Sequence, residues 1–204
     1  MTNLEHALRD SAPPADATAA ATAARRVAAR AAERGAADVA YAIVPSPMGA
    51  LAGVCSRRGL LCLSYRVERL DGLLDSLAGA VSPRIVESPA RLDPVARQLE
   101  EYFAGRRRQF ELPIDWSLSR GFARRVLRAT ADVPYGTATT YTDIAGRAGS
   151  PLAVRAAGNA LARNPVPIVV PCHRVLRVGG GLGGYAGGLE RKRFLLKLEG
   201  ALEG

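Results

Sequence analysis

Along this chain the spacing of apolar positions changes character twice, and each change marks a boundary. Residues 1–37 are rich in alanine, with scattered arginines and a Pro13-Pro14 pair. With few large side chains to anchor it, this stretch reads as an extension, frayed or weakly helical. From Asp38 the apolar residues gather into short runs broken by turn residues. Runs at 41–44, 51–55 and 60–65, separated by 45–49 and 57–59, predict three strands of a small antiparallel sheet. Helical spacing follows at 66–80 and at 94–103, where Val95, Leu99, Tyr102 and Phe103 share a face and Gly105 closes the helix. Residues 106–113, with three arginines, read as an exposed edge leaving the domain, and 113–119 as a linker.

The second half is helical in a different arrangement. Phe122, Val126, Leu127 and Ala129 give a helix at 122–131, Val133 to Gly136 a turn, and 141–148 a short helix. Gly149-Ser150 reads as a turn with Ser150 as N-cap and Pro151 as first residue of a further helix to about Arg163. Two short helices across a glycine-containing turn have the form of a helix-turn-helix. Val154, Ala157 and Leu161 should face the core, leaving Arg155, Ala156, Asn159 and Arg163 on a small, basic face suited to a nucleic-acid groove. Arg155 is the one long side chain there able to reach between bases; an ordinary surface arginine is the alternative. The whole is an α+β protein with a 1–37 extension, a first domain at 38–117 and a second at 118–204.

Charge sharpens this division. The net charge is +9. Residues 1–90 carry 10 Lys plus Arg against 9 Asp plus Glu, and residues 91–204 carry 18 against 10. Nearly all the excess lies in the helix-turn-helix half, which points to a polyanionic partner. No apolar run approaches the ~20 residues of a membrane span and no signal pattern opens the chain, so we place it in the cytoplasm. Three cysteines, Cys55, Cys62 and Cys172, make neither a disulfide framework nor a zinc site. No metal and no cofactor is expected.

The densest chemistry lies between Asn164 and Leu176. Ile168, Val169 and Val170 form a β-branched run that Pro171 stops, leaving Cys172 at the end of a buried strand or in a tight turn, with its sulfur displayed. His173 and Arg174 follow, surroundings that lower a thiol pKa and favour a thiolate nucleophile. A packed, inert cysteine is the competing reading, and for Cys55 and Cys62, inside strands, it is the preferred one. Beyond lies a glycine-rich segment at 179–188 without a phosphate-loop signature, read as a loop approaching a flat ligand with Tyr185 as stacking or hydrogen-bonding surface. A basic helix at 189–198 ends at Glu199-Gly200. A carboxylate at that end opposes the helix dipole, and His173 is its candidate partner.

These segments, Asn-Pro-Val-Pro-Ile-Val-Val-Pro-Cys-His-Arg-Val at 164–175, Tyr-Thr-Asp-Ile-Ala at 141–145, Ala-Val-Arg-Ala-Ala-Gly at 153–158 and Gly-Gly-Tyr-Ala-Gly-Gly-Leu at 183–189, resemble the O6-alkylguanine-DNA alkyltransferases, the methylated-DNA–protein-cysteine methyltransferases. The specific likeness covers about 120–200, and 38–117 resembles the family's N-terminal domain more loosely. It implies a ribonuclease-H-like N-terminal domain, a winged helix-turn-helix C-terminal domain, and double-stranded DNA containing alkylated guanine as partner of a monomer. Cys172 would then accept the alkyl group from guanine O6, possessing in His173 a base reached through a water and in Glu199 the acid that orients it. Asn164 would tie the active-site turn to the helix-turn-helix. Tyr141 would help flip the base and protonate the leaving guanine, and Arg155 would fill the vacated stack. Ala123, Ala156 and Asn159 would complete the DNA-binding face. Pro167, Tyr185, Ala186 and Gly187 would line the pocket, with a backbone N–H serving where many members have serine and this chain has Ala186. A thioether is not readily displaced, and no resolving thiol is at hand, so one turnover per molecule is implied.

Two other classes compete. A Cys-His hydrolase would need a histidine brought from elsewhere, and only His6 is available. A non-catalytic winged-helix binder of alkylated DNA would explain the basic half but neither the Pro-Cys-His-Arg turn nor the glycine loop.

Overall fold

The computed structural model describes residues 37–202. The extension and His6 lie outside the described residues, apart from Ala37. The N-terminal half is built on a four-stranded sheet: β1 (Val39–Val44), β2 (Leu51–Ser56), β3 (Gly59–Ser64) and β4 (Ile85–Glu87), in the order β3-β2-β1-β4. The three expected strands are present and antiparallel. The short β4, parallel to β1, has no counterpart in the apolar pattern. Helix α1 (Leu70–Ala80), preceded by a 3-10 turn, covers one face through Leu77, against Val39, Val54 and Leu61. On the other face α2 (Pro89–Phe103) lays down Leu92, Val95, Leu99 and Tyr102. Covering both faces explains why the strands are apolar on consecutive residues instead of alternating. Cys55 and Cys62 are packed thiols within them, each 7% exposed.

Helix α2 begins five residues earlier than its apolar spacing suggests. Pro89 takes the first helical position, where its missing N–H has no partner to lose; Pro94, expected at the start, lies inside. The supposed exposed edge at 106–113 is no strand. Phe110 packs 5.2 Å from the Tyr102 ring, and Gln98 accepts from Glu111 N at 2.8 Å. The supposed linker is fastened as well: Leu60 N donates to Pro113 O (2.8 Å), Asp115 N to Leu60 O (2.9 Å), and the buried Asp115 accepts from Ser56 Oγ at 2.5 Å. One hydrophobic core therefore runs from β1 to the last helix.

The C-terminal half packs α3 (Gly121–Ala131), α4 (Tyr141–Arg147) and α5 (Val154–Ala162) into a helix-turn-helix, with a two-residue parallel pair β5 (Thr139–Thr140) and β6 (Val175–Leu176), and closes with α6 (Leu189–Leu198). A capping box between Thr140 and Asp143 starts α4. The expectation for Ser150 fails. Its N–H donates to Ala145 O (3.0 Å), which finishes α4, and its carbonyl accepts from Ala153 N (2.9 Å) in a separate turn, so Ala153 and not Ser150 stands at the N-cap of α5. Pro151 and the 99% exposed Leu152 form a turn, and α5 starts at Val154. On α5, Ala157 and Leu161 are buried, and Arg155, Ala156 and Asn159 lie outside the core, as their spacing suggests.

Candidate active site

The run 168–170 is not a strand. Val170 N turns back to Val166 O (2.9 Å), and the fully buried Ile168 has φ +73°, a left-handed backbone that β-branched residues rarely adopt. Pro171, at φ −81° and ψ 61°, then makes an inverse γ-turn closed by Cys172 N to Val170 O (2.8 Å), and residues Cys172–Arg174 form a 3-10 turn. Asn164, at the end of α5, holds this bend. Its Nδ2 donates to Val170 O (2.8 Å) and to Cys172 Sγ (3.1 Å), and its Oδ1 accepts from Val166 N (3.0 Å). The turn carrying the thiol is thus bolted to the end of α5 by one amide.

The sulfur is less displayed and less acidic than the sequence suggests. Cys172 is 5% exposed and forms part of the wall of a cavity of about 630 Å³, which it shares with Tyr141, Arg155, Asn159, Tyr185 and Ala186. Burial pushes its thiol up to about 11, against the opposing pull of the Asn164 bond and the Lys192 charge. The lowered pKa expected from the neighbouring residues is therefore corrected. Arg174 does not serve the thiol, because its guanidinium turns to Glu199 (Nε to Oε2 2.8 Å, a terminal nitrogen to Oε1 2.9 Å) and to Val133 O (2.5 Å). The resting Cys172 is a thiol and needs a base.

His173, the next residue, is the candidate for that base. It is fully buried, with Nε2 2.8 Å from Glu199 Oε1, and Nδ1 buried without a hydrogen-bond partner. Burial would raise the Glu199 carboxyl, but hydrogen bonds from His173, Arg174 and Tyr102 bring it down to about 2. An anionic Glu199 requires the proton of a neutral imidazole on Nε2, which leaves the Nδ1 lone pair open. Burial in turn holds His173 below its ordinary 6.5. The expected Glu199–His173 pair is present, and Glu199 lies where α6 ends: Gly200 adopts φ +71°, and Gly200 N and Ala201 N return to Lys197 O and Leu196 O.

Two members of this network are not evident from sequence. Tyr102 of α2, fully buried, donates its hydroxyl to Glu199 Oε1 at 2.6 Å. Helical spacing places its ring in the core; a buried phenol also needs a partner, and that is the available signal. Lys192, also fully buried, donates Nζ to Val175 O (2.6 Å) and Leu182 O, and burial lowers it to about 8. Its place on the Lys192-Leu195-Leu196-Glu199 face of α6 is the signal for it. Of the remaining expected residues, Pro167 is buried behind the turn, Gly187 is buried with its carbonyl accepting from Arg191 (2.9 Å), and Ala123 is half-buried on α3. The Tyr141 hydroxyl makes only a long bond to Gly184 O (3.5 Å). Among the described residues no group of three or more His, Cys, Asp or Glu could hold a metal ion, and no helix is long and apolar enough to cross a membrane.

These shifts give acid sensitivity a definite sign. His173 is below 6.5 when folded, so the unfolded chain takes up that proton first and stability falls as pH drops below about 6.5. Glu199 stabilises fully above its unfolded 4.5, and its contribution, about 3 kcal/mol, is lost as pH falls from 4.5 toward 2. Urea midpoints measured from about pH 7.5 to about pH 3 should therefore decline steadily; a flat profile would contradict the assigned protonation states.

The structure thus joins a buried cysteine, next to which His173 in the same turn pairs with Glu199, to a helix-turn-helix in the basic half of the chain. The family model for the 6-O-methylguanine DNA methyltransferase ribonuclease-like domain matches residues 39–116, and that for the DNA-binding domain matches 121–201. A methylated-DNA–protein-cysteine methyltransferase of Mycolicibacterium paratuberculosis is 47% identical over 163 residues, 79% of this chain and 92% of the relative. That of Methanosarcina barkeri is 38% identical over 159 residues, 78% and 96% of the two chains. The crystal structure of Mycobacterium tuberculosis OGT in complex with DNA superposes with a TM-score of 0.66 at 35% identity, covering 79% of this chain and 93% of that one. The protein belongs to the methylated-DNA–protein-cysteine methyltransferase family, and the ribonuclease-like and DNA-binding halves expected of it are both present.

Proposed function

We propose that this protein reverses alkylation of DNA directly, moving the alkyl group from guanine O6 to Cys172 once per molecule. The observation that carries this is the shared cavity: the thiol and the outer face of α5, with Arg155 and Asn159, border one space of about 630 Å³. A nucleophile so placed reaches only a base brought out of the duplex. Arg155, Ala156 and Asn159, with Ala123 on α3, form the DNA-binding face, and Arg155 fills the stack the base leaves.

The chemistry follows from the protonation states. His173 Nδ1 takes the thiol proton through a water, while Glu199, fixed as an anion, steadies the imidazolium that forms. The thiolate attacks the alkyl carbon, a C–S bond forms as the C–O bond breaks, and the guanine anion takes a proton from the Tyr141 hydroxyl. The proton first held by His173 restores that hydroxyl, so the thiol hydrogen is in effect passed to guanine. Tyr185, with the backbone N–H groups of the loop at Ala186 and Gly187, holds the base; Pro167 supports the turn from behind. The thioether is stable, and the protein works as a monomer in the cytoplasm, without a cofactor.

Intact mass after incubation with a duplex carrying O6-methylguanine tests the reading. We expect a gain of about 14 Da in the wild type and none in Cys172→Ala, with yield capped at one per protein. Binding without mass gain would make the protein a winged-helix binder of alkylated DNA, and turnover beyond one per molecule would exclude a consumed acceptor.

A further inference from the structure

Tyr65 stands just beyond β3, in the N-terminal half, yet its side chain reaches the loop that walls the cavity. Its hydroxyl lies 2.6 Å from that of Tyr185, with the ring centroids 6.1 Å apart. The Arg191 guanidinium sits 5.0 Å from the Tyr65 ring centroid and donates to the carbonyls of Met48 (3.2 Å) and Gly187 (2.9 Å). The β1–β2 turn, Tyr65 and the glycine loop are thereby fastened at one point. Gly187 is pressed between the two phenols: a Cβ there would lie 2.7 Å from Tyr65 and 2.9 Å from Tyr185. Tyr185 in turn borders the cavity with Cys172 and stands edge-on to His173 at 6.5 Å.

We propose that Tyr65 sets which alkyl groups the site accepts: by holding the Tyr185 hydroxyl it fixes that ring as a rigid wall beside Cys172 and limits the bulk allowed on guanine O6. This rests on the alkyl-transfer reading. A tyrosine ring has two soft torsions, and swinging it aside breaks the hydroxyl pair and leaves two partly buried hydroxyls to find new partners. A methyl group needs no such movement, whereas an arylmethyl or branched alkyl group does. The hydroxyl pair therefore acts on the ratio of bulky to small substrates more than on either rate. Tyr65 touches no reacting atom and is a positioning residue.

The test is a set of single-turnover rates for the wild type, Tyr65→Phe, Tyr185→Phe and the double variant, on duplexes carrying O6-methylguanine or O6-benzylguanine, with thermal midpoints in parallel. Phenylalanine keeps the ring against Gly187 and under Arg191 and removes only the hydroxyl. The benzyl-to-methyl ratio should rise roughly three- to tenfold in each single variant, and no further in the double, because one bond can be lost only once. Equal losses on both substrates, additive effects, or a fall in the ratio would reduce the pair to a prop of the fold and overturn the proposal. If Tyr65→Phe folds poorly, Tyr185→Phe breaks the same bond from its other end and decides the question through the ratio alone, in which the contact of Tyr185 with the base, common to both substrates, cancels. A wild type that transfers neither group would sink the alkyl-transfer reading itself, a result distinct from an active wild type with an unchanged ratio.

Discussion

Cys172→Ala should transfer no alkyl group at all while binding alkylated duplex about as well as the wild type. No other thiol can substitute, since Cys55 and Cys62 are packed inside the N-terminal sheet and neither lines the cavity that Cys172 borders. The variant should also fold. Asn164 loses its bond to Sγ but keeps Val170 O and Val166 N, so the bend persists at a cost of about 1 kcal/mol for the lost partner. In the proposed function DNA affinity comes from the outer face of α5 and the basic surface around it, which the change leaves untouched. Mass spectrometry and electrophoretic mobility on the same samples measure both halves of the expectation. Residual transfer would mean that another residue is the acceptor, and lost binding would mean that the thiol organises the recognition helix.

Glu199→Gln should damage both stability and rate. The carboxylate accepts from His173, Tyr102 and twice from Arg174, all buried. A neutral amide leaves the buried guanidinium without its counter-charge and sets one N–H₂ against other donors. Removing one partner of a buried ion pair costs about 3–5 kcal/mol. The imidazole also loses the anion that orients it and supports its protonation, so transfer at neutral pH should slow by about 10²-fold or more. Urea unfolding and single-turnover rates separate the effects, and the rate loss should lessen at higher pH, where the thiol ionises without help. A variant as stable as the wild type would show that Arg174 finds another counter-charge; an unchanged rate would remove His173 and Glu199 from the mechanism.

What can be read from the sequence follows how local each cause is. Cys172, His173 and Asn164 lie close together in a segment whose prolines force a bend, and Glu199 is marked by its odd place at a helix end. Spacing alone locates the strands β1 to β3 and the helices of the C-terminal half. Ser150 misleads because serine before proline resembles a helix start, whereas Ser150 to Ala153 make a turn of their own and the helix begins after it. The run at 168–170 looks like a strand because its composition suits one; tertiary packing instead holds Ile168 in a left-handed conformation. Arg174 reads as a charge beside the thiol, since nothing in the chain says that it turns toward a carboxylate 25 residues on. Tyr102 and Tyr65 reach the site only because the two halves share a core, and a contact across 97 or 120 residues leaves no periodic trace.

The high pKa of Cys172 bears on how long each molecule lasts. A protein consumed by a single reaction is wasted by any side reaction of its nucleophile. Oxidants and soft electrophiles select exposed thiolates, and Cys172 at rest is neither exposed nor ionised. Burial and a raised pKa therefore both slow the reactions by which the nucleophile would be lost without a repair to show for it.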